Sequence, residues 1–257
     1  MRLGLVSDVH SNLEALTAVL RELERANVDG LVNLGDVVGY HANPNECLTL
    51  LHRTGARSIA GNHDRAASSV IEPTWFGGVA RHAIYWTRAM LTPEHVASLR
   101  GLEVYDRLDA RTCVVHGALH PEPNDRYHLS SPERVSASFA KLCSGEVPAR
   151  ICFFGHTHHA AIHRSDGQSI TRLPLVRAPL RVQLDDAYYL VNPGSVGQSR
   201  DGDERASFAI FDQDARTIEF RRVEYDMRAC LRKAEQEGLL VPPKPRFKFS
   251  LPSFGLR

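Results

Sequence analysis

The sequence offers no cysteine framework. Its five cysteines, Cys47, Cys113, Cys143, Cys152 and Cys230, are scattered, odd in number and free of any C-x-x-C spacing. This pattern fits reduced, mostly buried thiols and excludes a disulfide scaffold or a zinc-cysteine site. Long apolar runs are also missing. No stretch approaches the roughly 18–20 residues that span a bilayer. The opening MRLGLVSDVH is too poor in apolar residues to hold the apolar core, about 7–15 residues long, of a secretory signal. A soluble, cytoplasmic protein with no membrane partner is the expectation. Charge of one sign is lacking as well: the formal net charge is +1, so no extended nucleic-acid surface is expected. Internal repeats and low-complexity tracts are absent.

What remains is an ordinary globular composition, 43% hydrophobic and 24% charged over 257 residues. That length suits one large core. Residues 1–240 are read as a single domain, and the Pro-rich, basic stretch 241–257 as a tail over the surface.

The apolar pattern begins with a strand, RLGLVSD, and a helix, SNLEALTAVLRELERAN. Leu13, Leu16, Leu20 and Leu23 share one helical face, and Ser11 with Glu14 predicts a capping box. A strand, GLVNLGD, precedes a second helix, NPNECLTLLHRTG, with Asn43 as cap, Pro44 at the first helical position and Gly55 past the end. RSIAGN predicts a third strand, so the first sixty or so residues alternate β-α-β-α-β and imply a parallel sheet with helices packed on it. Pro73 to Gly101 is helical in pattern, with Thr92 as a cap. Further strands, TCVVHG and RICFFGH, flank a helix opened by Ser131 and Pro132. Beyond His156 short strands follow closely: AAIHR, LRVQL, YYLVN, ASFAIFD and TIEFRRVEY. Such spacing predicts antiparallel pairing into a second sheet, within an α/β fold.

Each strand read as parallel ends in polar residues: Asp8 and His10, Asp36, Asn62 to Asp64, His116, and His156 with His158. In open α/β sheets ligands bind beyond the carboxyl ends of the strands, so these clusters are expected to converge. In extended chain, the i, i+2 pairs Asp8/His10 and His156/His158 point to one side. A His, Asp and Asn set without Cys suits Mn, Fe, Co, Ni or Zn better than Mg or Ca. Seven such ligands are too many for one tetrahedral ion and suit two. Asp8 and Asp36 leave two divalent ions incompletely neutralised, a charge balance that attracts an anionic phosphodiester. Asp64 has two readings, a cap for the segment after Asn62 or an orienting partner for His63. Arg200 either contacts substrate phosphate or forms a surface ion pair. His41, His120, His128 and His159 are read as rim residues, and Tyr127 as half-buried.

The blocks DVH (8–10), GDVVG (35–39), GNHD (61–64), HG (116–117) and GHTH (155–158), in this order, closely resemble the calcineurin-like metallophosphoesterases. NPGSVGQSRDG (192–202) and WTRAMLTPEHVASLRGL (86–102) resemble the small single-domain bacterial and archaeal phosphodiesterase branch of that superfamily. The resemblance implies two packed mixed sheets flanked by helices, a four-layer αββα sandwich. It implies two divalent transition-metal ions, Mn first and Fe, Ni, Co or Zn as alternatives. Asp8, His10, Asp36 and His158 would hold one ion, and Asp36, Asn62, His116 and His156 the other, with Asp36 bridging. His63 would be a general acid or a phosphate-stabilising donor, oriented by Asp64. The activity implied is hydrolysis of a phosphodiester or small nucleotide by in-line attack of a metal-bridging hydroxide. The alternatives are a phosphomonoesterase or dinucleoside-polyphosphate hydrolase on the same site, and a metal-binding scaffold without turnover. His41 and Ala42 stand where the branch often has Gly and Pro, and HGALHPEP replaces a common HGSP.

Overall fold

The structure is a computed structural model and describes residues 1–175 and 178–239; the tail read at 241–257 lies outside the described residues. The order begins β1 (Arg2–Val6), α1 (Leu13–Arg25), β2 (Gly30–Asn33), α2 (Pro44–Arg53), β3 (Arg57–Ser58), α3 (Asn62–Ala67). A 3-10 turn (Pro73–Trp75), α4 (Gly78–Met90), α5 (Pro93–Arg100), β4 (Tyr105–Arg107), β5 (Thr112–Val115), α6 (Pro132–Cys143) and β6 (Ile151–Phe154) follow. The described chain continues with β7 (Ala161–Ser165), β8 (Ile170–Arg172), β9 (Leu180–Gln183), β10 (Tyr188–Asn192), β11 (Ala206–Asp212), β12 (Thr217–Val223) and α7 (Met227–Gln236).

Two six-stranded sheets result, ordered β3-β2-β1-β11-β12-β9 and β4-β5-β6-β10-β7-β8. Both are mixed: β1, β2 and β3 run parallel, as do β5, β6 and β10, while the flanking pairs are antiparallel. Leu5, Val32 and Phe211 of the first sheet bury against Phe153, Ile162 and Val191 of the second. Phe153 and Phe211 meet with ring centres 5.2 Å apart. Truncating a buried ring of this kind costs about 3–5 kcal/mol. Leu16, Val19 and Leu48 of α1 and α2 cover the outer face of the first sheet at Phe208 and Ile210. On the second sheet, Val135, Phe139 and Leu142 of α6 do the same over Cys113, Cys152 and Leu190. The layers are therefore αββα, as expected.

Three local expectations change. The closely spaced strands after His156 do not form a sheet of their own: β7, β8 and β10 join β5 and β6, while β9, β11 and β12 extend the first sheet. The cause is the apolar run of β11, whose Phe208 and Ile210 face α1 while Ala209 and Phe211 face the other sheet. A strand buried on both sides belongs in a sheet centre, and β11 pairs there with β1. The third strand shrinks to Arg57–Ser58, because Asn62 already opens α3. At α1, Asn12 is the cap, accepting from the Ala15 N–H, while the Ser11 hydroxyl accepts from the Gly39 N–H instead. Among the described residues no helix is long and apolar enough to cross a membrane.

Candidate metal centre

All seven expected ligands leave the carboxyl ends of parallel strands, and all are buried. Asp8 and His10 follow β1, Asp36 follows β2, Asn62 follows β3, His116 follows β5, and His156 with His158 follow β6. The site therefore sits on the seam between the two sheets. The i, i+2 pairs do not use extended chain as expected. Asp8, His10, Asp36, His156 and His158 all have left-handed backbone, with φ of 53°, 49°, 55°, 65° and 61°. Such residues are uncommon outside glycine and carry a cost of order 1–3 kcal/mol each. Tight turns directly after the strands aim both side chains of a pair inward.

Three buried clusters offer ligand atoms within 4.8 Å of one another: Asp8, His10 and His158; His10, Asp36 and His63; Asp36, His116 and His156. Asp36 lies in two of them. His10 Nδ1 lies 3.1 Å from the Val38 carbonyl, His158 Nδ1 2.6 Å from that of Gln198, and His116 Nδ1 2.7 Å from that of Leu34. A carbonyl only accepts, so each Nδ1 carries a proton and each Nε2 is the nitrogen left turned into the centre, the arrangement of metal-ligating histidines. His10 Nε2 and His158 Nε2 then face each other at 3.0 Å. Two lone pairs at that distance repel unless a cation shares them. Nε2 of His116 stands 3.3 Å from Asp36 Oδ2, off the line of a hydrogen bond, and Asn62 Oδ1 and His156 Nε2 are buried without a partner. These residues fit divalent cations by donor type and by unmet valence.

The charges agree. Burial opposes ionisation of Asp36, yet the imidazoles of His116 and His63 hold its carboxyl well below the usual range. Asp8 is pushed up to about 7 by burial, with Asp36 adding to the rise. Burial also opposes a charge on His116, but Asp36 and Asp8 raise it to about 10, so a proton takes up positive charge where a metal ion would. Burial drives His10 and His156 well below their ordinary values and lowers His158 to about 3.

His63 is buried, with Nδ1 unpartnered, and burial lowers it to about 4. Its backbone N–H donates to Asp36 Oδ1 at 2.8 Å. The expected partnership with Asp64 is corrected: Asp64 accepts from the N–H groups of Gly61 and Val38, at 3.0 and 3.1 Å, and so pins the turn into α3. The His63 ring is held instead by the rings of His10, Tyr40 and Phe76, at 4.7, 4.8 and 5.0 Å. Gly61 admits Asp36, since a Cβ there would lie 2.0 Å from Asp36 Oδ1.

Arg200 is exposed and donates to the Tyr40 hydroxyl at 3.3 Å. Tyr40 lies against the His10 and His63 rings, and the Arg200 N–H donates to the His158 carbonyl at 3.5 Å, so Arg200 stands beside the centre. His128 stacks on His156 at 3.8 Å, whereas Tyr127, expected to be half-buried, is exposed, as are His120 and His159. His41 is buried rather than on the rim, because its Nδ1 is bonded to the His10 carbonyl at 2.8 Å. Sequence reasoning missed the roles of Tyr40, Phe76, Asn192 and Ser195. The Asn192 amide donates to Gly155 O and Thr157 Oγ1, and the Ser195 hydroxyl to Asp8 O, bracing both ligand turns. Asn192 and Ser195 lie in the NPGSVGQS stretch and Tyr40 directly follows GDVVG, whereas Phe76 carried no motif signal.

The model of the calcineurin-like phosphoesterase superfamily domain matches residues 1–216. The chain belongs to that superfamily. This calcineurin-like phosphoesterase is similar to an uncharacterized protein of Methanocaldococcus jannaschii, 33% identical over 240 residues covering 92% of this chain and 93% of that protein. It is similar to the crystal structure of a metallophosphoesterase from Sphaerobacter thermophilus, with a TM-score of 0.81, 35% identity, and coverage of 93% of this chain and 95% of that one. A hypothetical protein from Pyrococcus horikoshii OT3 shares the fold, with a TM-score of 0.71 at 20% identity over 93% and 94% of the two chains. The superfamily and the His/Asp clusters together make the calcineurin-like phosphoesterase a metal-binding hydrolase of phosphoesters.

Proposed function

We propose that the protein is a dinuclear metal-dependent phosphoesterase acting on a phosphodiester or a small nucleotide. The observation that carries the reading is Asp36, buried between two groups of inward-facing lone pairs. Asp8, His10, Asp36 and His158 would hold one ion, and Asp36, Asn62, His116 and His156 the other. Two divalent ions, Mn first, would acidify water to a nucleophile and offset charge on the phosphate oxygens in an in-line displacement.

The protein's own groups do the rest. Asn62 adds a ligand without adding negative charge. Arg200 brings a forked cation to the phosphate. His63 is neutral above a pH of about 4 because of its burial. A neutral imidazole is a strong hydrogen-bond donor and a poor acid, so His63 stabilises a phosphate oxygen more readily than it delivers a full proton. An arrangement with one donor ring and one guanidinium suits the single negative charge of a diester. With the Mn-loaded enzyme, kcat/KM for bis-p-nitrophenyl phosphate is expected to exceed that for p-nitrophenyl phosphate; the reverse order would assign it to monoesters.

A further inference from the structure

Beside the metal centre lies an open cavity of about 860 Å³ that the proposed chemistry does not use. Such a volume is far larger than a phosphate needs and falls in the range of organic-ligand pockets, roughly 300–1,000 Å³. Its near end is His128, stacked on His156, together with Thr157 and Arg200. Its apolar lining comes from Leu129, Pro132, Val135, Ala161 and Ile170. Ile170 is an exposed large aliphatic residue on a short edge strand, where a charged residue is the usual protection. The polar lining includes the imidazoles of His159 and His163 and the guanidinium of Arg172, and no carboxylate.

The two arginines mark a direction. Arg200 donates to the Tyr40 hydroxyl, whose ring lies beside His10 and His63 at the centre, whereas Arg172 sits on the edge strand β8, paired with His163 of β7. Arg172 has no ion-pair partner among the described residues. The His163 ring, lowered to about 4 by burial, is uncharged near neutral pH and can stack, and the His128 ring lines the cavity's near end. A cavity that pairs an apolar wall with a cation set away from the reacting centre selects a ligand with a flat apolar part and an additional anionic group.

We propose that this cavity is the subsite for the leaving half of the substrate and that this half is a nucleotide, its phosphoryl groups on Arg200 and Arg172 and its base against the apolar lining. The assignment rests on the phosphoesterase reading above and names the substrate class of that site. ADP is the natural probe, since it joins a terminal phosphate, a second phosphoryl group and a base.

The test is calorimetric titration of ADP, adenosine and inorganic phosphate into the Mn-loaded protein at fixed free Mn²⁺, for the wild type, Arg172→Ala and Ile170→Asp. ADP is expected to bind at least about tenfold more tightly than phosphate or adenosine. In Arg172→Ala the ratio of ADP to phosphate affinity falls about tenfold, the value of one charge-assisted hydrogen bond. In Ile170→Asp it falls as well, because the new charge repels the ligand. A wild-type ratio near one, or a ratio unchanged in both variants, overturns the subsite. Hydrolysis of bis-p-nitrophenyl phosphate by the same preparations separates the two readings. Cleavage without ADP preference defeats the subsite alone, and Arg172-dependent ADP preference without cleavage keeps the cavity as a nucleotide site but overturns both its leaving-half role and the catalytic reading.

Discussion

Single side chains divide the labour along GNHD. Asn62 turns an unpartnered oxygen into the centre, His63 presents a ring clamped by three aromatic neighbours, and Asp64 ties down two backbone N–H groups. The types and positions of the inward-facing residues were legible in the sequence because each polar cluster interrupts an apolar strand at its end. The partner of Asp64 was not, since an aspartate next to a histidine in sequence says nothing of which way its carboxylate turns. His63→Ala removes a donor but no member of the two ligand sets. It is expected to lower kcat by about 10²–10³-fold, while bound Mn measured by atomic emission stays near the wild-type amount. Equal loss of metal and turnover would make His63 structural. Asp64→Asn is expected to cost stability and to act on turnover only through it, because the carboxylate touches backbone.

At the scale of elements, the ligand turns are braced by a loop far away in sequence. Asn192 at the end of β10 reaches back to Gly155 and Thr157, and the N–H groups of Val196 and Gly197 donate to the carbonyls of Ser7 and Asp8. Most helices before β6 were readable from periodicity and caps, since α2, α5 and α6 each carry Pro at the helix start. The sheet assignment of β9 to β12 was not, because pairing partners distant in sequence are chosen by the faces they bury rather than by local pattern. Nor was α3, whose six residues are too few to show a period. Asn192→Ala breaks the bonds that hold the His156 and His158 turn. Calorimetric Mn²⁺ titration is expected to show affinity lower by roughly 10–100-fold, the usual effect of losing an outer support of a metal site. An unchanged affinity would show that the left-handed turns hold themselves.

On the scale of the whole molecule, the centre joins two sheets that otherwise meet through apolar side chains, with Asp8, His10, Asp36 and Asn62 on one side and the three remaining histidines on the other. It also concentrates buried titratable groups, which makes stability depend on pH. Burial lowers His63 and His128 to about 4 and His158 to about 3, with His10, His41 and His156 also lowered. Unfolded imidazoles titrate near 6.5, so between pH 6.5 and 4 the unfolded chain binds the extra protons and stability falls as pH falls. Asp8 and Asp64, pushed up to about 7 by burial, act in the opposite sense but are fewer. Each net proton is worth about 1.4 kcal/mol per pH unit. The Tm of the metal-free protein is expected to drop steadily from pH 6.5 to pH 4.5, and a rising Tm would contradict burial of these rings.

The central claim is that two metal ions across this seam make a phosphoesterase, and one titration tests it. Metal-free protein receives Mn²⁺ in steps while hydrolysis of bis-p-nitrophenyl phosphate is followed. Activity is predicted to climb to a plateau at about two ions per chain. A plateau at one ion, or no hydrolysis with Mn, Fe, Co, Ni or Zn, would contradict it.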